Sequence, residues 1–413
     1  MNIKNPFHIV LSLLLLLTIS CTEPYGLQTE TFESAVVIEA TITDEYKHQE
    51  IKLSRTYRLE EDGPDTEVGA VVYVTDSNGN QYNFIGSGDR YVSQQAFAAV
   101  PNVNYQLHIV TSDGKTYTST TEKMSSLTDI DDIVAVRGLN SVGEDGVQIL
   151  LNGTKTTDST EYYRYTYEET NKVIAPQWIT QRGVAVYYNP PLPNSQNIGY
   201  LLLEPWPYES KTCYSHENSK EILISNTSLN STNNVIDLIR FLKIDDYKIA
   251  NRYSIKVTMH NESFEANNFY DALKKTSSSG SLLSQNQPGF FSGNIKNSNN
   301  PKEKVIGFFD IAHVSSKRIF FNFEDIFPNE PKPPYPYYCP EITFFNEKDF
   351  KFNLCFASIG VNSECHGEFI LRSIEFREKT VFSAGLDGIT LVNSQCGDCT
   401  LFSSNVKPSF WVD

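Results

Sequence analysis

The sequence predicts a mainly β protein: an N-terminal immunoglobulin-like β-sandwich followed by a larger β-rich domain carrying one packed helix. Three observations lead there. Aromatic residues make up 12% of the chain, led by 25 Phe and 23 Tyr against 3 Met, a balance that suits strands and turns better than helices. Short apolar-polar alternations recur between turn-forming residues through the first third. One stretch, Ser263–Lys275, keeps a helical period.

The chain opens on a targeting segment. Residues 1–20 hold Lys4, an apolar run from Phe7 to Leu17 and Thr18-Ile19-Ser20, directly before Cys21. The run falls short of the roughly twenty residues a spanning helix needs and matches a signal-peptide core. A small residue before cysteine is the pattern of bacterial lipoprotein signals. Cleavage would leave Cys21 at the N-terminus with acyl chains on its thiol and amine, anchored by ~0.8 kcal/mol per buried CH₂. The plainer alternative is a signal peptide whose cysteine is incidental. Residues 21–34 are polar and read as a tether.

Residues 35–124 form the predicted sandwich. Seven short segments are expected as strands: Ala35–Thr43, Glu50–Tyr57, Ala70–Thr75, Gln81–Gly86, Arg90–Ser93, Asn104–Thr111 and Thr116–Thr121. In the sixth, Tyr105, Leu107 and Ile109 share one face, as in a half-buried strand. Asp76-Ser77-Asn78-Gly79 and Ser112-Asp113-Gly114-Lys115 are hairpin-type turns, since Asn, Asp and Gly accept positive φ. That spacing of strands and turns is the sandwich signature. Lys123–Asp132 reads as a junction. Its carboxylates Asp129, Asp131 and Asp132 have the oxygen chemistry for Ca²⁺, but no EF-hand spacing completes a site, and solvated linker charge is the preferred reading.

Residues 125–413 are the expected β-rich, disulfide-stapled domain. Strands are predicted at Val147–Asn152 and Glu161–Val173, with Tyr163, Tyr165 and Tyr167 on one face as cross-strand packing, then at Glu221–Ser225 and Arg252–His260. The helix Ser263–Lys275 takes Ser263 as N-cap and an apolar stripe of Ala266, Phe269, Tyr270 and Leu273. Further strands are expected at Val305–Ile311, Lys317–Asn322, Lys351–Ala357 and Gly367–Phe376. Two Pro-rich loops carry the candidate recognition aromatics, Trp206 and Tyr208 in the first and Tyr335, Tyr337 and Tyr338 in the second. Loops on a rigid scaffold often hold a binding surface, although these rings could equally cap a core.

Charge and cysteine usage bound the function. A net charge of −16 argues against nucleic acid, which is bound through clustered Lys and Arg, and against a basic membrane patch, so attachment falls to the lipid on Cys21. With Cys21 acylated, Cys213, Cys339, Cys355, Cys365, Cys396 and Cys399 remain. In an oxidising compartment three bridges are expected, with 15 connectivities open. Cys396-Gly-Asp-Cys399 could be a redox pair, but Asp398 is an anion where a reactive thiolate needs a cation. A zinc set with Cys213 and His216, or with Cys365 and His366, is the minor alternative. The histidines are scattered, and no nucleophile elbow or phosphate loop appears. Glu60/Glu61 and Glu168/Glu169 read as exposed charge rather than a glycosidase pair. No cofactor, metal or catalytic residue is expected.

Several segments together carry a family likeness: Val36-Val37-Ile38-Glu39-Ala40, Gly69–Val72, Gly114-Lys115-Thr116-Tyr117, Tyr162–Tyr167, Ser263–Leu273, Gly293-Asn294-Ile295, Val305–Phe309, and Cys396–Cys399 with Lys407–Trp411. The chain resembles the Bacteroidota lipoproteins grouped as domain-of-unknown-function family 4249. The resemblance implies an outer-membrane location and the neighbourhood of a TonB-dependent β-barrel transporter. It supplies no catalytic residues. The expectation is a non-enzymatic, lipid-anchored accessory or lid subunit of such a transporter in nutrient uptake. The alternative is a surface adhesion or glycan-binding module, with an enzyme third.

Overall fold

The computed structural model describes residues 35–57, 63–125, 127–155, 161–188, 199–229, 234–278, 293–345, 366–385 and 388–413. The expected signal segment, Cys21 and the expected tether, Glu60/Glu61, the expected strand over 351–357, and Cys355 and Cys365 lie outside them.

The chain is mainly β, as predicted. The seven N-terminal strands all form: β1 (Val36–Thr43), β2 (Glu50–Arg55), β3 (Val71–Asp76), β4 (Gln81–Ser87), β5 (Arg90–Ser93), β6 (Asn104–Val110) and β7 (Thr116–Ser119). Alternation sets their faces. Val36, Ile38, Ala40 and Ile42 of β1 are buried, as are Tyr105, Leu107 and Ile109 of β6. Gly79 and Gly114 take φ of 86° and 80° in the two expected turns, a region glycine enters without steric cost.

Two strands from far downstream complete this sheet. β18 (Ile295–Asn297) pairs with β7, and the first half of β19 (Val305–Asn322) runs parallel to β1. The ends of the curled sheet are tied through Asn294, whose side chain donates to Phe309 O and accepts from Phe309 N, both at 2.8 Å. The backbones approach so closely there that a Cβ on Gly293 would lie 1.6 Å from Gly307 O. Ile295, Val305, Phe309 and Ile311 accordingly share one core with the 35–124 segment.

β19 carries the sheet onward. Its second half pairs with β17 (Arg252–Asn261), which pairs with β11 (Tyr162–Ile174), which pairs with β14 (Thr212–Asn218) and β15 (Leu223–Asn226). The two strands expected at 305–311 and 317–322 are therefore one strand. The polar Ser315-Ser316 between the two expected segments lies mid-strand, where Ser316 is exposed. Tyr163, Tyr165 and Tyr167 are buried on one face as predicted, under a three-stranded sheet of β16 (Asn234–Lys243), β10 (Asp145–Thr154) and β9 (Ile130–Leu139). β8 (Glu122–Lys123) and the start of β9 flank the expected junction, within which Thr128 is buried and its backbone N–H donates to Asn261 Oδ1 at 3.0 Å.

Helix α1 (Phe264–Ser278) starts where Ser263 Oγ accepts from Ala266 N at 3.1 Å. Its predicted stripe packs on Phe308 of β19. Beneath it, Arg164 pairs with the fully buried Glu262 and lies 4.6 Å from the Tyr270 ring centroid. Asp310 is buried beside them, and its Oδ2 has no hydrogen-bond partner among the described residues. A short helix, α2 (Phe323–Ile326), ends β19.

The last core gathers β12 (Gln181–Tyr187), β13 (Gly199–Pro205), β20 (Ile342–Phe345), β21 (Lys379–Gly385), β22 (Gly388–Asn393) and helix α3 (His366–Glu375). α3 replaces the strand expected at Gly367–Phe376. Ile370, Leu371 and Ile374 are buried while Phe369 is exposed, a helical stripe that a short apolar run hides from periodicity.

Candidate functional site

The segment 394–401, the last helical turns in the described residues, is the hub of the molecule's aromatic loops. After β22 come helix α4 (Ser394–Gly397) and a 3₁₀ turn, Cys399–Leu401. Cys396 is bonded to Cys339 and Cys399 to Cys213, with Cα–Cα distances of 5.8 and 5.9 Å. Two of the expected bridges are thus assigned. Cys355 and Cys365 fall outside the described residues.

Asp398 sits between the two sulfurs for a structural reason. Its carboxylate accepts from Thr400 N at 2.9 Å and Thr400 Oγ1 at 2.6 Å, capping the 3₁₀ turn, and from Tyr208 OH at 3.2 Å. Both cysteines of the CxxC are buried in bridges to distant partners, which removes the redox-pair reading and the zinc set built on Cys213, Cys396 and Cys399. His216 is turned to Thr170, with Nδ1 and Oγ1 3.0 Å apart.

All five recognition aromatics nominated from sequence reach this hub. Tyr208 arrives through Asp398, and its ring lies 5.8 Å from that of Trp206, which is pinned by an Nε1–H bond to Ile179 O at 2.9 Å. Tyr335 donates to Gln395 O at 2.8 Å and packs edge-on against Phe402. Burial, with Tyr337 and Asp398 adding to it, raises the Tyr335 phenol well above its ordinary value. Tyr337 also packs on Phe402, at 4.8 Å, and remains partly exposed. Tyr338 is 83% exposed, while its carbonyl accepts from Asn393 Nδ2 at 2.8 Å. Both Pro-rich segments are therefore rigid presentations of aromatic surface. Tyr335 and Trp206 serve as anchors, and Tyr337, Tyr338 and Tyr208 are offered outward.

Residues that sequence reasoning passed over complete the surroundings. Trp178 donates to Ser210 Oγ at 2.9 Å and packs in the small core around Cys213 and Cys399. Arg182, Arg377 and Lys379 border a pocket of about 80 Å³ beneath Trp206 and Tyr208. None of these had a local signal; each reads alone as ordinary strand or surface chemistry.

Other candidates resolve differently. Glu168 pairs with Arg318, but Glu169, expected as exposed charge, is buried. Burial works to raise its pKa, yet hydrogen bonds from Lys248 and Tyr253 and the charge of Arg240 hold it below the ordinary value. It is a saturated counter-charge inside the second core. Asp129, Asp131 and Asp132 turn to separate partners, His313, Thr154 Oγ1 and Ile133 N. Among the described residues no three His, Cys, Asp or Glu side chains converge as metal ligands. A larger cleft of about 820 Å³ lies between α1 and β8, lined also by Phe269, Phe308 and Asn294. No described helix is long and apolar enough to cross a membrane.

A family model described as "Domain of unknown function (DUF4249)" matches residues 22–318. No curated protein matches the chain. Among solved structures, a chain titled "Biofilm associated protein - B domain" is similar at 8% identity and a TM-score of 0.12, covering 69% of this chain and 85% of that one.

Proposed function

The chain belongs to the DUF4249 family, and from that premise we propose that it is a lipid-anchored outer-membrane protein serving as a non-enzymatic accessory or lid to a TonB-dependent β-barrel transporter in nutrient uptake. The observation that carries this reading is the gathering of Trp206, Tyr208, Tyr335, Tyr337 and Tyr338 on one doubly bridged hub. Aromatic side chains held rigid before binding lose little entropy on docking and dominate interface energetics. The lipobox-like Ser20-Cys21 supplies the anchor, which at a membrane surface raises the effective concentration of a neighbouring partner. Bacterial lipoproteins of this kind are expected in the Bacteroidota. Affinity purification of the lipidated protein from detergent-solubilised outer membranes tests the proposal. Recovery of a stoichiometric β-barrel is the expected result, and recovery of the protein alone contradicts it.

A further inference from the structure

We propose that the pocket beneath Trp206 and Tyr208 is a binding site for the carboxylate of an acidic sugar residue, with the sugar ring lying outside against the two aromatic rings. The pocket is bordered by Arg182, Arg377 and Lys379, an uncommon concentration of cations in a chain of net charge −16. Their neutralisation is unequal. Arg182 is paired with Glu204, Lys379 donates to Asn393 Oδ1 at 2.7 Å, and Asp398, also at the pocket, is engaged by Thr400 and Tyr208. The Arg377 side chain has no hydrogen-bond or ion-pair partner among the described residues, which leaves one uncompensated guanidinium. A guanidinium, with its fork of N–H donors, is the group that grips one carboxylate bidentately.

Backbone conformation singles out the same residue. Arg377 has φ of 56° in the turn that ends α3, where Arg377 N donates to Ile374 O at 3.1 Å and Glu378 N to Ser373 O at 2.8 Å. This is the C-terminal motif in which glycine is the strain-free choice. An arginine held there, exposed at the border of a pocket and with its side chain unpartnered among the described residues, is strain placed where a function would use it.

Size limits the ligand. The space of about 80 Å³ is near half of the ~150 Å³ cavity that accommodates a benzene ring, so it takes a carboxylate and not a sugar ring. At the mouth, the Trp206–Tyr208 pair, pinned through Trp206 Nε1, offers an apolar surface to the C–H face of a pyranose. The site is separate from Tyr337 and Tyr338 and does not depend on a barrel partner.

The test is titration of the purified full chain with trigalacturonate, with maltotriose as the neutral control and sodium acetate and an acidic peptide as competitors. Saturable binding of trigalacturonate, with none of maltotriose, is expected. In Arg377→Gly the affinity should fall at least tenfold while the melting temperature stays level or rises, because glycine accepts the backbone conformation. Four results would each overturn the proposal: no saturable binding of trigalacturonate, equal binding by R377G, equal binding of maltotriose, or tighter binding of the peptide or acetate. None of these bears on barrel co-purification, so the two proposals fail separately.

Discussion

Cys396 and Cys399 stand three positions apart and are bonded in different directions, one to Cys339 in the second Pro-rich loop and the other to Cys213 in β14. This short turn thus clamps a loop and a strand that are remote in sequence, and the aromatic face depends on it.

The double substitution Cys339→Ser, Cys396→Ser should therefore release the second loop while leaving the strand cores intact. The bridge closes a separation of 57 residues, for which chain entropy gives a stabilisation of about 4 kcal/mol, within a range of ~2–5 kcal/mol. A lowered melting temperature by circular dichroism and new proteolytic cleavage within residues 328–340 are the expected outcomes. Unchanged resistance to proteolysis would show that packing of Tyr335 on Phe402 suffices.

Asp310 supplies a pH-dependent prediction. Its burial, and secondarily the neighbouring charge of Glu262, push its pKa up to about 8 against the pull of Arg164. The unfolded carboxyl titrates near 4, so between those values the unfolded state releases a proton that the folded state keeps. Asp310 therefore costs stability increasingly as pH rises from about 4 to about 8, and the cost is constant above that. Asp310→Asn should make the decline of stability with pH shallower by up to about 1.4 kcal/mol per pH unit in that window. Urea denaturation at pH 5, 6, 7 and 8 measures it. Identical slopes for both proteins would place the Asp310 carboxyl in its charged form.

What was legible in the sequence was local. The N-terminal strands alternate cleanly between Asn- and Gly-bearing turns, and α1 announces itself by Ser263 and its stripe, so both are read directly. The rest lay in long-range pairing. Nothing near Val36 indicates that β1 pairs with a strand beginning at Val305, and cysteine spacing does not choose between 15 connectivities. α3 was hidden because Ile370 and Leu371 adjoin, which suits a strand as well as a helix. Glu169 looks exposed until Arg240, Lys248 and Tyr253 are brought to it from other elements. The recognition aromatics were nominated one loop at a time; their convergence on Asp398, Gln395 and Phe402 is a product of topology.

The most direct test of partner docking is a photo-crosslink from the aromatic face in living cells. A benzophenone amino acid at Tyr338, 83% exposed at the hub, should give a covalent adduct with an outer-membrane β-barrel. The same group at Val142, 77% exposed in the β9–β10 turn, should give none. An adduct at position 142 with no adduct at position 338 would contradict the account.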